Sequence, residues 1–248
     1  MPSLLAIVPH PDDESYSFGG TLALAARAGW ECRVVAVTSG EGGERHDGGP
    51  VGASHVAPLR ERELRTSCAA LGVRQCGFWQ LPDGAVSEEA LRPLVATAVA
   101  EREWDLVMTL GADGAYGHPD HLAVHEAVSA AWRSQQGPSS LLFASFPLGL
   151  FVPQYDKCVA SGIMGDPPLL ARDDIGDASV EYDVAIGAVA GVKLASIRAH
   201  LSQLPGGDPF ALFPPGIVAG LLECERFRDA TGARSPHIVE ILGKVLGG

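Results

Sequence analysis

From Leu4 to about Pro147 the chain alternates short apolar runs with longer segments whose apolar positions recur every three to four residues. The short runs are "LLAIV" (4–8), "CRVVAVT" (32–38), "CGFWQL" (76–81), "WDLVMTL" (104–110) and "LLFASF" (141–146). Their length and continuity suit strands buried on both faces. The periodic segments, at about 18–29, 57–71, 87–102 and 119–135, predict the helices between them. Gly29 and Gly72 stand where helix C-caps belong, and Ser87, with Glu89 close behind, suits a helix start. This alternation predicts an α/β fold, a Rossmann-like and mostly parallel sheet with helices on both faces.

Beyond Pro147 the pattern loosens. Residues 148–180 carry turn residues without a steady period and read as an excursion that covers a pocket rim. A strand near 180–186 and helices near 188–203 and 214–229 are expected to close a single domain spanning 1–248. No internal repeat, linker or low-complexity tract interrupts it.

Composition narrows the partners. A net charge of -12 repels phosphate backbones and anionic lipid, which argues against nucleic acid and membrane surfaces as general partners, but it says little about a small-molecule substrate, because a local site can oppose the global field. Five cysteines, an odd number without a CxxC pair, indicate neither a disulfide framework nor a cysteine zinc site, and fit a reducing cytoplasm. The apolar N-terminal run is too short for a leader, and no stretch approaches the roughly 18 apolar residues of a membrane span.

Two clusters carry the candidate chemistry. "PHPDDE" (9–14) follows the first strand, where Pro9 and Pro11 stiffen the turn that bears His10, Asp12 and Asp13. "GAYGHPDH" (114–121) follows the fourth strand. Helix capping accounts for one acid of the first turn, not for three acids and a histidine. Both clusters lie at carboxyl strand ends, where ligands gather in open parallel sheets. A catalytic zinc keeps three protein ligands and one open position, and His10, Asp13 and His121 are the natural set. His118 and His121 could instead both ligate, while His125 reads as a packing residue of the helix face. Asp120 either holds an imidazole in its tautomer or serves the helix dipole.

The residues resemble the LmbE-like, or PIG-L, family of zinc-dependent N-deacetylases. "FGGTLALAARAG" (18–29), "VTSGEGG" (37–43), "RERELRTSCAALGV" (60–73) and "KLASIRAHLSQ" (193–203) extend the likeness. The resemblance implies Zn²⁺, or another divalent metal, on His10, Asp13 and His121, with Asp12 as general base. It implies that Tyr116 and His118 stabilise or protonate the reacting group, and it places the turn bearing Glu14 inside the pocket, as a substrate contact. Arg60 and Asp83 could offer a sugar a cation and a hydroxyl partner, or be a solvated helix face and a turn acid. His200 could reach the pocket or lie on the surface. The implied reaction removes an acetyl group from an N-acetylated amino sugar derivative, and homo-oligomers are among the implied assemblies. Hydrolysis of another amide or an ester would use the same residues. A nucleotide- or sugar-binding module is the rival class, although the acids of the first turn would repel a pyrophosphate.

Overall fold

The computed structural model describes residues 1–134, 140–213 and 215–246. Five parallel strands form most of one sheet: β1 (Ser3–Val8), β2 (Glu31–Thr38), β3 (Gln75–Leu81), β4 (Leu106–Leu110) and β5 (Ser140–Ser145). Two further strands, β6 (Tyr182–Ala185) and β7 (Cys224–Asp229), complete the order β3-β2-β1-β4-β5-β7-β6. β7 runs antiparallel to both β5 and β6, so the sheet is mixed at one edge.

The helices of the first half are α1 (Asp13–Arg27), α2 (Ala53–Leu71), α3 (Glu88–Ala100), α4 (Gly114–Gly117) and α5 (Pro119–Ser134). Those that follow are α6 (Val152–Ala160), α7 (Ala190–Ala199), α8 (Pro209–Leu212), α9 (Ile217–Leu221) and α10 (Pro236–Leu246). None is long and apolar enough to cross a membrane, among the described residues. Strand alternation divides the core. Leu4, Ala6 and Val8 of β1 face Phe18 and Leu22 of α1, Leu64 of α2 and Ile241 of α10. Leu5 and Ile7 face Leu91 and Val95 of α3 and Val124 and Val128 of α5. The unbroken apolar run of β1 is thereby explained: both faces are covered.

The C-terminal expectations need correction. The helix expected over 214–229 is instead the short α9 followed by strand β7, and position 214 lies outside the described residues, as does position 135 of the helix expected at 119–135. In β7 Glu225, Phe227 and Asp229 are the buried positions, so two of the three inward side chains are acids and the period of two is hidden from a hydropathy reading. The helix expected over 188–203 is α7 flanked by single 3-10 turns, and α10 was not anticipated.

Glu225 also explains a break in α1. Phe18 leaves helical geometry (φ -149°, ψ 22°), and the Glu225 carboxylate accepts the N–H groups of Gly20 at 2.7 Å and Thr21 at 2.8 Å beyond the break. Lys193 Nζ donates to the same carboxylate at 2.6 Å. The chain order places the switch point between β1 and β4, which pair directly. A crevice opens there beyond the carboxyl ends. Both sequence clusters end on these two strands.

Candidate active site

Asp12 stands at the start of α1 with φ 109° and ψ -32°. A residue with a Cβ occupies such backbone geometry only at an energetic cost, which the surroundings must hold in place. Its carboxylate caps no helix N–H. Oδ2 instead accepts from Arg60 Nη2 at 3.0 Å. Arg60 also donates to the Pro11 carbonyl and, at 2.8 Å, to the carbonyl of Gly40, where a Cβ would collide with the guanidinium. Burial raises Asp12, Arg60 opposes that, and the charge of Asp13 adds to it, leaving the carboxyl at about 6.

Asp13 turns the other way. Its Oδ2 accepts the His10 N–H at 2.9 Å and lies 3.3 Å from His10 Nδ1 and 3.5 Å from His121 Nε2. The two ring nitrogens are themselves 3.1 Å apart. Their partners fix the tautomers. His10 Nε2 faces Asp83 Oδ1 at 2.9 Å and Asp120 Oδ2 at 3.2 Å, both acceptors, so it carries a proton. His121 Nδ1 lies 2.9 Å from the Gly114 carbonyl and must also donate.

Two neutral rings so arranged would aim two lone pairs and a carboxylate at one another. A positive charge between them, whether a proton on His10 or a metal ion, stabilises such a triangle. Burial disfavours charge on His10, yet Asp120, Asp13 and Asp83 lift it well above its ordinary value. Burial likewise works upward on Asp13, but His121 and His10 hold it well below the usual carboxylate range. The donor set fits a divalent ion: tetrahedral zinc with bonds of about 2.0–2.1 Å separates its ligands by roughly 3.3 Å. The Asp120 and Asp83 contacts to the far nitrogen of His10 are of the kind that orient metal-binding imidazoles. Gly114 allows the close approach on the other side. It has φ +54°, and a Cβ there would lie 2.8 Å from the His121 Cβ.

His118 closes the ring of histidines, its centroid 4.9 Å from His10 and 5.0 Å from His121. Its Nδ1 accepts the Asp120 N–H at 3.2 Å, so the proton sits on Nε2. Burial first, then His121 and His10, push it down to about 3. His10, His118 and His121 also lie close enough to share an ion, as do His10, Asp83 and Asp120. In the second group the carboxylates already accept from Gly42, Gly84 and Val86 N–H groups, which leaves them ordered by the backbone. Tyr116 stacks edge-on to His121 at 5.0 Å, and burial raises its hydroxyl well above the ordinary value.

Of the three expected substrate contacts, Arg60 and Asp83 line the cleft and Glu14 does not, and each has protein partners of its own. Glu14 is fully buried: Oε2 accepts the Asp12 N–H at 2.9 Å, and Oε1 meets Ser67 Oγ at 2.5 Å and His200 Nε2 at 2.8 Å. Arg60 spends its charge on Asp12 and two carbonyls. Asp83 borders the cleft but holds His10 and the Gly42 N–H. His200 is neither a pocket residue nor a surface one, being 1% exposed. His125 bonds the Leu110 carbonyl and packs on Phe143, as expected of a helix-face residue.

The cleft over the centre has two adjoining lobes, of about 370 and 210 Å³, that share Asp12, Asp13, Glu44, Tyr116, Gln154 and Gln203. Phe146, Phe151 and Phe213 wall the smaller lobe, with Lys157 and His46 beside them. Gln154, Lys157, Cys158 and Ile163, all within 148–180, line these lobes. Neither His46 nor Phe213 belongs to a cluster in the sequence, and no local pattern marks them as cleft residues.

A mostly parallel sheet with this histidine and acid centre at its switch point suits hydrolysis, and the family match and relatives make it a deacetylase, a hydrolase acting on amides. The profile described as "PIG-L: GlcNAc-PI de-N-acetylase" matches residues 5–132. The chain belongs to that family. A relative from Nakamurella multipartita, "1D-myo-inositol 2-acetamido-2-deoxy-alpha-D-glucopyranoside deacetylase", is 34% identical over 94% of this chain and 90% of its own. Among solved structures, N,N'-diacetylchitobiose deacetylase from Pyrococcus horikoshii superposes with a TM-score of 0.61 at 23% identity, covering 96% of this chain and 85% of that one. The 4-carboxy-2-hydroxymuconate hydratase from Pseudomonas putida gives 0.65 at 17% identity, covering 92% and 96%. The last two show the fold alone, and the fold therefore hosts more than one chemistry.

Proposed function

We propose that the protein is a zinc-dependent N-deacetylase that cleaves the acetamido group of an N-acetylated amino sugar carried on a small polar conjugate. One observation carries the reading: two imidazoles locked in complementary tautomers converge with Asp13 on one point, while Asp12 beside them keeps an oxygen that no group among the described residues holds. The polyol glycoside in the relative's name supports the substrate class.

His10 Nδ1, Asp13 and His121 Nε2 would hold the ion. When bound, it supplies Lewis acidity to the amide carbonyl and lowers the pKa of water toward 7. Asp12 Oδ1, the oxygen free of Arg60, takes the proton of the attacking water. The His118 Nε2–H donates to the carbonyl oxygen as negative charge develops there, an effect worth about 3 kcal/mol for a well-placed donor. The Tyr116 hydroxyl, kept protonated, lines the same cleft. As the C–N bond breaks, Asp12 returns its proton to the amine, so water is consumed and acetate and free amine result.

The test joins metal analysis of purified protein to acetate release from N-acetylglucosaminyl-inositol and related N-acetylated sugars. One equivalent of zinc, acetate release, loss on chelation and recovery on adding zinc are expected. Full activity in metal-free protein would sink the mechanism, and no acetate from any N-acetylated sugar would sink the substrate class.

A further inference from the structure

We infer that His200, acting through Glu14, is a positioning residue that holds the backbone of Asp12 in its strained turn. The inference rests on the reading of Asp12 as the base. Glu14 Oε2 accepts the N–H of Asp12 at 2.9 Å, from a residue whose φ of 109° needs outside support. The other oxygen of Glu14 is held by His200 Nε2 at 2.8 Å and Ser67 Oγ at 2.5 Å, and Ser67 is held in turn by Ser196 Oγ at 2.6 Å. Glu14 is 0% exposed and His200 1%, so neither water nor a mobile cation replaces a lost partner. The His200 Nδ1 has no partner among the described residues, and Glu14 is the one group the ring holds.

His200 stands at the C-terminal end of α7. The segment after it is fixed to α2 by Ser202, whose N–H and hydroxyl both bond Glu63 at 2.7 Å. A residue 188 positions away thereby sets the geometry of Asp12 without touching the cleft. Without His200 the buried carboxylate loses its cationic partner, and reorienting toward other donors releases the Asp12 N–H. The Asp12 carbonyl still accepts from Ser15 and Tyr16 and its carboxylate from Arg60, but with the N–H released the peptide can rotate and Oδ1 loses its fixed place relative to the proposed ligands.

The experiment compares the zinc-loaded parent with His200→Ala and His200→Gln, since Gln Nε2 can reproduce the donor of the imidazole Nε2. Expected for His200→Ala are a kcat at least tenfold lower, KM and zinc content within twofold of the parent, and a crystal structure in which Asp12 has left φ near 109°. His200→Gln should restore most of kcat and the Asp12 geometry. An unchanged kcat in His200→Ala overturns the inference, as does a loss of zinc, KM and folding together that Gln does not rescue. Should the parent release no acetate, the substrate reading fails separately, and the Asp12 φ in the two variant structures still decides this one.

Discussion

Asp12 and Asp13 are adjacent, equally short and opposite in environment. Asp13 is surrounded by imidazole nitrogens and kept ionised, whereas Asp12 is raised to about 6 and faces the cleft. Asp12→Asn keeps the shape and removes the proton acceptor. It should lower kcat at least 100-fold, within the usual 10²–10⁴ contribution of a general base, while zinc content stays at the parent level. His121→Ala removes one of the three convergent donors and leaves the Gly114 carbonyl without its N–H donor. Metal analysis should find zinc lost from that variant after dialysis, together with the activity. Retained zinc would give His118 a ligand role, in line with the alternative in which both histidines ligate. The convergence of these residues was legible in the motifs because each grouping follows directly on a strand. The surroundings of Glu14, Arg60 and Asp83 were not, since the charged partner of each is distant in the chain, His200 for Glu14, Asp12 for Arg60 and His10 for Asp83, and no local pattern announces it.

At the scale of elements, two buried charge pairs join the C-terminal third to α1. Glu225 of β7 takes two N–H groups and the Thr21 hydroxyl at the break in α1, and Lys193 of α7 completes it. Glu225→Ala would strand a buried ammonium and three donors, and urea unfolding should show a loss of about 3–5 kcal/mol. The second pair is His200 with Glu14. Burial opposes charge on His200, but Glu14 outweighs it and raises the imidazole above 6.5, with Asp12 of the same turn adding and Arg60 of α2 opposing. A raised pKa in the folded state gives stability that is full below the unfolded value and is lost as pH rises through the folded one. The advantage of the parent over His200→Gln in urea midpoint should therefore be greater at about pH 6 than at about pH 9. An advantage that grows with pH would contradict the charged pair.

Across the whole molecule, the proposed metal centre joins the ends of two neighbouring strands with a turn and a helix from each. An ion bound at 100 times its Kd stabilises the native state by about 2.7 kcal/mol. Chelation should accordingly lower Tm by roughly 5–10 °C in a chain of this size. A Tm indifferent to chelator and to added zinc would place any bound metal elsewhere.

The sequence by itself determined the five parallel strands, the helices between them and the identity of the convergent histidines and acids. These rest on local rules: unbroken apolar runs mark strands covered on both faces, and two motifs that end strands lie on one edge of a parallel sheet. Tertiary structure decided what those rules cannot reach. It brought β1 beside β4, so that His10 and His121 meet, and inserted β7 between β5 and β6 against its polar, helix-like reading. It also turned Glu14 inward to His200. In each of these cases the deciding partner is distant in the chain, and the energy that fixes it, a hydrogen bond or ion pair out of reach of water, exists only once the fold has excluded the solvent.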